Sequence, residues 1–203
     1  MQDSSAHLST LLIALLVALW MAMLLLGGPQ SPVDIALLQL IRAPTLAPEV
    51  RLVTRLGGPY LLLPLSLAAL IALFLWSGRR PALLYLILVL SERLLAGVQK
   101  DLIGRMRPDP ASRLDAATSF SFPSGHSANS MTAWLGFALL ATPPRYRGVA
   151  VAAALAVAII VGCTRVVLAV HWPSDVIGGW AFGAGWTLLL VRLAGGTRAR
   201  QPH

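Results

Sequence analysis

Long apolar stretches separated by short polar loops dominate the sequence. A helix that crosses the hydrocarbon core of a bilayer needs about 20 mainly apolar residues. Six stretches meet this requirement approximately, although the fourth reaches it only by including polar residues at both of its ends. The pattern therefore predicts an all-α integral membrane bundle of six transmembrane helices, over residues 8–26, 60–76, 81–99, 125–142, 148–170 and 176–194.

The segment between the first two predicted spans, residues 27–59, is rich in proline and glycine. Within it, residues 33–43 are apolar with three polar positions interspersed, and they are too few to cross a bilayer. Such a segment favours a short helix that lies in the membrane interface. The first apolar stretch has no basic segment before it and exceeds the apolar part of a signal peptide, so we interpret it as a retained span. Residues 1–203 are expected to form a single membrane domain.

The composition supports a membrane protein and bears on its partners. Hydrophobic residues make up 57% of the chain and charged residues only 12%, whereas soluble domains contain about 25% charged residues. The formal net charge of +8 suits anionic lipid surfaces or phosphate groups. No nucleic acid partner is expected, because the basic residues are spread through the loops of a hydrophobic chain. The single cysteine, Cys163, excludes an internal disulfide.

The arginines of the loops predict the orientation in the membrane. Cytoplasmic loops carry an excess of basic residues. With six spans, the loops after the second and fourth spans share a side with both termini, and these short loops are basic. The loops of the other side are basic as well, so counting alone is ambiguous, and we give the two short loops more weight. The arginines on the predicted cytoplasmic side are Arg79, Arg80, Arg145, Arg147, Arg198 and Arg200.

Three polar stretches, residues 100–108, 123–126 and 164–175, lie at the ends of predicted spans. The first two fall in the loop after the third span, and the third falls in the loop after the fifth span. All three therefore share one face of the membrane, which is predicted to be the outer face of a cytoplasmic (inner) membrane.

The residue types in these stretches suit a phosphoryl group. Lys100, which is the only lysine in the chain, Arg107 and Arg165 provide three cations. Arginine offers a planar fork that matches phosphate oxygens, and lysine offers a point charge. Ser124 and Gly125 precede a predicted helix, where a hydroxyl and free backbone N–H groups favour an anion. Since the cations can neutralise the phosphoryl oxygens, no metal and no other cofactor is expected.

The cations, the Ser124 hydroxyl and the N–H groups at Gly125 together form a phosphate cradle. Two histidines add reactive groups to it. His171 is followed four residues later by Asp175. A carboxylate on one ring nitrogen fixes the tautomer and leaves the other nitrogen free to attack phosphorus. His126 can protonate the departing oxygen and later activate a water molecule.

Together, the three stretches resemble the signature motifs of the type 2 phosphatidic-acid phosphatase family, in a superfamily that also includes glucose-6-phosphatase and the vanadium haloperoxidases. The matching residues are Lys100-x6-Arg107-Pro108, Pro123-Ser124-Gly125-His126 and Arg165-x5-His171-x3-Asp175. Thr164 stands where the family often has serine, which keeps the hydroxyl. The resemblance implies a metal-independent, vanadate-inhibited reaction in which His171 is the nucleophile, Asp175 orients it and His126 is the general acid. It also implies that phosphate is bound by Lys100, Arg107, Ser124, Gly125 and Arg165.

The resulting expectation is a phosphatase that acts on lipid phosphates or diphosphates through a phospho-histidine at the outer membrane face. Family analogy favours undecaprenyl diphosphate as the substrate, with phosphatidylglycerol phosphate, phosphatidic acid and a lipid A phosphate as alternatives. A lipid phosphotransferase with the same site is a further alternative. A vanadate-dependent haloperoxidase is disfavoured because those relatives are soluble. A non-catalytic lipid-binding protein is disfavoured because both histidines are present. No oligomeric state is predicted.

Four further charged residues lie outside the matched positions. Arg105 and Arg113 are interpreted as solvated charges, with contact to a lipid headgroup as the alternative. Glu92 and Arg93 fall inside the third predicted span, where ionisable groups usually face the bundle interior. Glu92 has two interpretations, a supporting role beneath the site and a polar contact between helices.

Overall fold

The computed structural model of the protein describes residues 2–196, and the side chains of residues 7–195. Arg198 and Arg200, which the orientation argument counts, lie outside the described residues. The described part of the chain consists of helices and loops without a β-strand, which confirms the all-α prediction. Its α-helices are α1 (Gln2–Leu26), α2 (Pro32–Ile41), α3 (Ala47–Thr54), α4 (Pro59–Ser77), α5 (Arg79–Ile103), α6 (Gly125–Ala141), α7 (Pro144–Val167) and α8 (Pro173–Gly196).

Several helices are long and apolar enough to cross a membrane, so the protein is a multi-pass membrane protein. Among the described residues there are five such stretches: His7–Leu26, Pro44–Ser77, Arg79–Ile103, Pro144–Val167 and Pro173–Gly195. The sixth predicted span corresponds to α6, which has 17 residues. At the usual rise a helix of this length measures about 25 Å, which is less than the roughly 30 Å of a hydrocarbon core. The sixth span therefore stays a prediction.

Helix α6 lies at the centre of the bundle and contacts α4, α5, α7 and α8. Two glycines of α8 allow this close packing. A Cβ atom on Gly179 would lie 2.7 Å from the carbonyl oxygen of Ser124, and one on Gly183 would lie 2.6 Å from the carbonyl oxygen of Ala128. Both distances are too short for a real side chain, so the backbones of α6 and α8 approach each other only because these residues are glycine.

The short helix predicted over residues 33–43 is present as α2. Ser31 caps its first turn by accepting a hydrogen bond from the N–H of Asp34 at 3.3 Å, and Pro32 fits its first position. Asp34 is buried and accepts hydrogen bonds from the N–H groups of Gly28 at 2.6 Å and Ser174 at 2.9 Å. This carboxylate ties the segment after α1 to the start of α8. The interfacial position of α2 stays a prediction.

Candidate active site

The end of α5 places Lys100 and Arg107 beside the loop that follows. The helix ends at Gly104, whose positive φ of 63° favours glycine and whose N–H bonds the carbonyl of Lys100 at 2.9 Å. The Lys100 ammonium donates to the carbonyl of Phe120 at 2.8 Å. Arg107 donates from Nε to the carbonyl of Ser119 at 2.6 Å and from one terminal nitrogen to that of Val170 at 2.6 Å. The bonds to Phe120 and Ser119 hold the loop over the end of α5, and the bond to Val170 joins Arg107 to the turn between α7 and α8.

Ser124 and Gly125 form the start of α6, as the sequence predicts. The N–H of Ser124 donates to the carbonyl of Asp175 at 2.9 Å, and its hydroxyl accepts from Ser127 at 3.0 Å instead of capping the helix. The first N–H groups of α6 have no intrahelical acceptor and favour an anion. A Cβ atom on Gly125 would lie 3.8 Å from Cε of Lys100, so the end of the lysine side chain lies beside the first turn of α6.

His171 and Asp175 lie at the turn between α7 and α8. Nδ1 of the ring is 3.4 Å from Oδ2 of Asp175, and Nε2 is 2.9 Å from a terminal nitrogen of Arg107. A guanidinium can only donate hydrogen bonds. Nε2 must therefore carry the lone pair and Nδ1 the proton, which is the tautomer that an attacking Nε2 requires. The carboxylate is fixed in turn by the N–H of Trp172 at 2.9 Å and the hydroxyl of Ser121 at 2.5 Å.

The electrostatics of the site favour a neutral imidazole and an anionic ligand. Burial is the main cause that lowers the pKa of His171 well below 6.5, and the nearby positive charges of Arg107, Lys100 and Arg165 lower it further. Burial, followed by the charge of Arg165, also lowers the pKa of Arg107 to about 10, so this guanidinium stays protonated at neutral pH. The charges that disfavour an imidazolium at His171 would stabilise the oxygens of a phosphoryl group.

Arg165 lies in the last turn of α7 and is 3% exposed. One terminal nitrogen donates to the hydroxyl of Thr54 at 2.9 Å and to Oδ2 of Asp115 at 3.1 Å. Its Nε is buried without a hydrogen-bond partner among the described residues. Since buried donors are nearly always paired, this N–H is available to an oxygen of a bound phosphoryl group.

His126 is the second residue of α6, and its ring lies against the turn that precedes α4. A Cβ atom on Gly58 would be 3.2 Å from Nε2 of His126. Within the described part of the chain the ring makes no hydrogen bond, so Nε2 is free for a reacting group. Direct contacts thus join six of the eight residues that the sequence predicts for the site: Lys100, Arg107, Ser124, Gly125, His171 and Asp175. The other two, His126 and Arg165, lie near enough to interact with Lys100 and Arg107 through charge.

Arg105 lies beside the candidate site, in a position that the sequence does not reveal. The prediction of a solvated charge or a lipid headgroup contact is wrong, because Arg105 is only 9% exposed. One terminal nitrogen donates to Oδ1 of Asp175 at 3.0 Å, and the other donates to the carbonyl oxygens of Met23 and Leu24 at 3.0 and 2.6 Å. The sequence carries one signal for this contact. A buried carboxylate such as Asp175 needs a cation, and the lysine and two arginines of the three motifs are all assigned to phosphate.

The structure tests the interpretations of two other charged residues, Glu92 and Arg113, only in part. Glu92 is 1% exposed, which confirms that it faces the bundle interior, and its Oε1 has no hydrogen-bond partner among the described residues. Arg113 donates from Nε to the carbonyl of Pro108 at 2.8 Å and is partly buried. Neither residue makes a hydrogen bond to the eight site residues within the described part of the chain.

Comparisons with known proteins identify relatives of this chain. The PAP2 superfamily matches residues 81–198. The phosphatidylglycerophosphatase B of Bacillus subtilis (strain 168) is 36% identical over 149 residues, which are 71% of this chain and 73% of the relative. The undecaprenyl-diphosphatase of Sulfolobus acidocaldarius is 28% identical over 192 residues, or 90% of this chain and 89% of the relative. A crystal structure of a transmembrane PAP2 type phosphatidylglycerolphosphate phosphatase from Bacillus subtilis superposes with a TM-score of 0.77, at 30% identity over 95% of this chain and 97% of that one.

Proposed function

Because this chain belongs to the PAP2 superfamily and is a hydrolase of phosphoric ester bonds in lipids, we propose that it releases phosphate through a phospho-histidine on His171. The observation that carries this proposal is the hydrogen bond of 2.9 Å from Arg107 to Nε2 of His171. This hydrogen bond requires the lone pair to be on Nε2, the ring nitrogen that faces the cations. When a phosphoryl oxygen accepts the hydrogen bond of Arg107 in place of Nε2, phosphorus comes within reach of the freed Nε2 lone pair.

In the first step, Nε2 of His171 attacks phosphorus and the bond from phosphorus to the lipid oxygen breaks. His126 takes up a proton when the anionic phosphate binds beside the cations. It gives this proton to the departing oxygen, so the lipid leaves as an alcohol, or as a monophosphate when the substrate is a diphosphate. Asp175 accepts the Nδ1–H hydrogen bond and stabilises the positive ring. Lys100, Arg107, Arg165, the hydroxyl of Ser124 and the N–H groups that begin at Gly125 bind the phosphoryl oxygens.

In the second step, a water molecule attacks phosphorus and gives a proton to His126. The bond from Nε2 to phosphorus breaks, inorganic phosphate is released, and both histidines return to their starting protonation. The cations and the N–H groups that begin at Gly125 neutralise the charge, so the proposed chemistry uses no metal and no cofactor.

The proposed setting is the inner membrane, with six spans that include α6, with α2 in the interface and with a single domain over residues 1–203. Lys100 and Arg165 lie near the carboxyl ends of α5 and α7, and His126 and Asp175 lie near the amino ends of α6 and α8. All four are therefore at one end of the bundle. The paired arginines of the short loops lie at the other end, which supports an outward-facing site.

Two lipids are the leading candidate substrates. Undecaprenyl diphosphate is our first proposal, supported by the relative that covers 90% of this chain. Phosphatidylglycerol phosphate is the second, supported by the 36% identical relative and the superposed crystal structure. Phosphatidic acid and a lipid A phosphate complete the set to be compared.

The nucleophile is tested with His171→Gln in purified protein, with phosphate release measured on all four lipids. Turnover is expected to fall by about 10³-fold or more, and His7→Gln, at an exposed position remote from the site, is the matched control. Undiminished turnover would overturn the assignment of His171. The ratio of kcat/KM values among the four lipids identifies the substrate. Addition of acceptor lipids then distinguishes a phosphatase, which yields free phosphate, from a phosphotransferase, which yields a phosphorylated acceptor.

A further inference from the structure

A cavity of about 690 Å³ opens between α5, α6, α7 and α8 at the end of the bundle opposite the candidate active site. Its walls are mainly leucine and other aliphatic residues, among them Leu83, Ile87 and Leu140. Two exposed arginines, Arg80 and Arg147, complete the lining. The cavity therefore combines an apolar interior with two fixed positive charges.

The position of this cavity separates it from the catalytic reaction. Arg80 and Lys100 are 20 residues apart on α5, which corresponds to about 30 Å along the helix, close to the thickness of a hydrocarbon core. Arg147 and Arg165 are 18 residues apart on α7, or about 27 Å. A molecule bound here lies in the opposite leaflet and cannot reach His171.

The surrounding side chains indicate the depth of the cavity in the membrane. Trp76, in the last turn of α4, is 80% exposed. Exposed tryptophans are enriched where a bilayer meets water. Arg80 follows one turn later, at the start of α5. The two arginines therefore lie at the level of lipid headgroups, while the aliphatic wall extends toward the level of the acyl chains.

No acidic side chain neutralises the two arginines from the segments that line the cavity. Residues 79–91, 136–150 and 186–195 contain neither aspartate nor glutamate. Arg147 donates only to the carbonyl of Thr142, at 3.3 Å, among the described residues. The next segment, residues 197–203, contains two more arginines and no acidic side chain, so like charge disfavours it as an occupant. The compensating negative charge is expected to come from a bound molecule.

We propose that this cavity binds an anionic phospholipid of the leaflet opposite the active site. The lipid phosphate lies between Arg80 and Arg147, since guanidinium groups match phosphate oxygens, and an acyl chain packs along Leu83, Ile87 and Leu140. Basic pockets between membrane helices on the cytoplasmic side are a known mode of headgroup recognition. The proposal is independent of the catalytic assignment, because no residue of the cavity belongs to the site.

The test is lipid-dependent thermal stability of the full-length protein in a neutral detergent. Titration with phosphatidylglycerol is expected to raise Tm by about 3–6 °C near ten times its Kd, because a ligand that binds only the folded state stabilises it. Phosphatidylcholine and glycerol 3-phosphate are expected to raise Tm much less, since one lacks the net charge and the other lacks the acyl chains. The double variant Arg80→Gln/Arg147→Gln should lose the response to phosphatidylglycerol.

The matched control is Arg79→Gln/Arg145→Gln, which removes the same charge from neighbouring positions that do not line the cavity. It should keep the response of the wild-type protein. Any binding of phosphatidylglycerol at the active site would persist in both double variants, so only the cavity explains a selective loss. Equal stabilisation by phosphatidylglycerol and phosphatidylcholine would overturn the proposal. Equal losses of the Tm response in the two double variants would overturn it as well.

Discussion

The guanidinium of Arg105 donates a hydrogen bond of 3.0 Å to Oδ1 of Asp175, whose other oxygen lies 3.4 Å from Nδ1 of His171. Both members of this ion pair are buried, with side-chain exposures of 6% and 0%. The guanidinium is also held by two carbonyl oxygens at the end of α1 and lies 4.4 Å from the ring centre of Phe122. We infer from these contacts that Arg105 acts on His171 through the carboxylate, as a positioning residue.

We predict that Arg105→Ala lowers kcat about a hundredfold, because a carboxylate without its cation no longer holds the ring in place. The free energy of unfolding should fall by about 3–5 kcal/mol, since a buried charge is left unpaired. Competitive inhibition by inorganic phosphate, which resembles the ground state, should change little, because Arg105 does not belong to the phosphate cradle. The measurements are kcat, Tm and the inhibition constant of phosphate on one protein preparation.

Two further variants separate positioning by Arg105 from general damage to the fold. Arg105→Lys keeps the charge but loses the planar fork, so its kcat should lie between those of the wild type and the alanine variant. Arg113→Ala removes a partly buried arginine of the same loop and should leave kcat within a few-fold of the wild type. A loss in Tm without a loss in kcat for Arg105→Ala would contradict the positioning role.

The sequence predicts most of the helices, and it selects eight candidate residues that the structure places at one end of the bundle, because both depend on short-range patterns. Spacing such as that from His171 to Asp175 is local, and a helix start or end fixes where each side chain points. Arg105 escapes this reasoning since its partner lies 70 positions further along the chain. The bounds of α6, predicted as 125–142, agree with the structure to within one residue. Its role as a membrane span is harder to predict, because its polar first turn does not belong to the apolar pattern.

Gly58 offers a test of the space around His126. A Cβ atom there would lie 3.2 Å from Nε2 of His126, and the backbone of Gly58, with φ of −81°, accepts any residue. We predict that Gly58→Ala shifts the imidazole by a few tenths of an ångström and lowers kcat by roughly tenfold, while Tm changes little. The measurements are kcat on the preferred lipid and a thermal melt.

Gly148→Ala is the control for a glycine substitution as such. A Cβ atom at Gly148 meets nothing within 4 Å, and this residue lies in α7 at the end remote from the site. It should leave kcat unchanged and raise stability by about 0.5–1 kcal/mol. If both variants reduce kcat alike, crowding of His126 is not the cause.

The pH dependence of His171 is set by its lowered pKa. At pH 6 an unperturbed histidine is roughly three-quarters protonated, whereas His171 should remain neutral and keep its lone pair. Nitrogen NMR of histidine-labelled protein, with His171→Gln used to assign the signal, measures this directly. A ring that is mainly protonated at pH 6 in the free enzyme would contradict the prediction.

The same pKa difference predicts how stability varies with pH. The unfolded chain binds a proton on His171 below about pH 6.5, whereas the folded protein does not. Protonation therefore favours unfolding, and this residue should lower stability by up to about 1.4 kcal/mol for each pH unit below 6.5. The contribution is present only below the unfolded pKa and vanishes above it. His171→Gln should reduce this acid-side slope, as measured by Tm between pH 5 and 7.

The separate duties of His126 can be distinguished by the choice of leaving group. An aryl phosphate such as p-nitrophenyl phosphate releases a weakly basic oxygen that needs no proton, whereas a lipid alcohol needs one. In His126→Ala, turnover of the lipid should fall by about 10²–10⁴-fold, but the first step with the aryl phosphate should persist. Since the water-activating base is also absent, p-nitrophenol should appear as a single burst and an acid-labile phosphoryl group should accumulate on His171.

The burst and the trapped label together test both histidines. His171→Gln should give neither a burst nor a label, because it lacks the nucleophile, and the wild type should give steady turnover with little label. Quenched-flow measurement of p-nitrophenol and radiolabelled phosphate on denatured protein records both quantities. If His126→Ala loses the burst as completely as it loses lipid turnover, His126 binds phosphate or shapes the site and does not supply the proton.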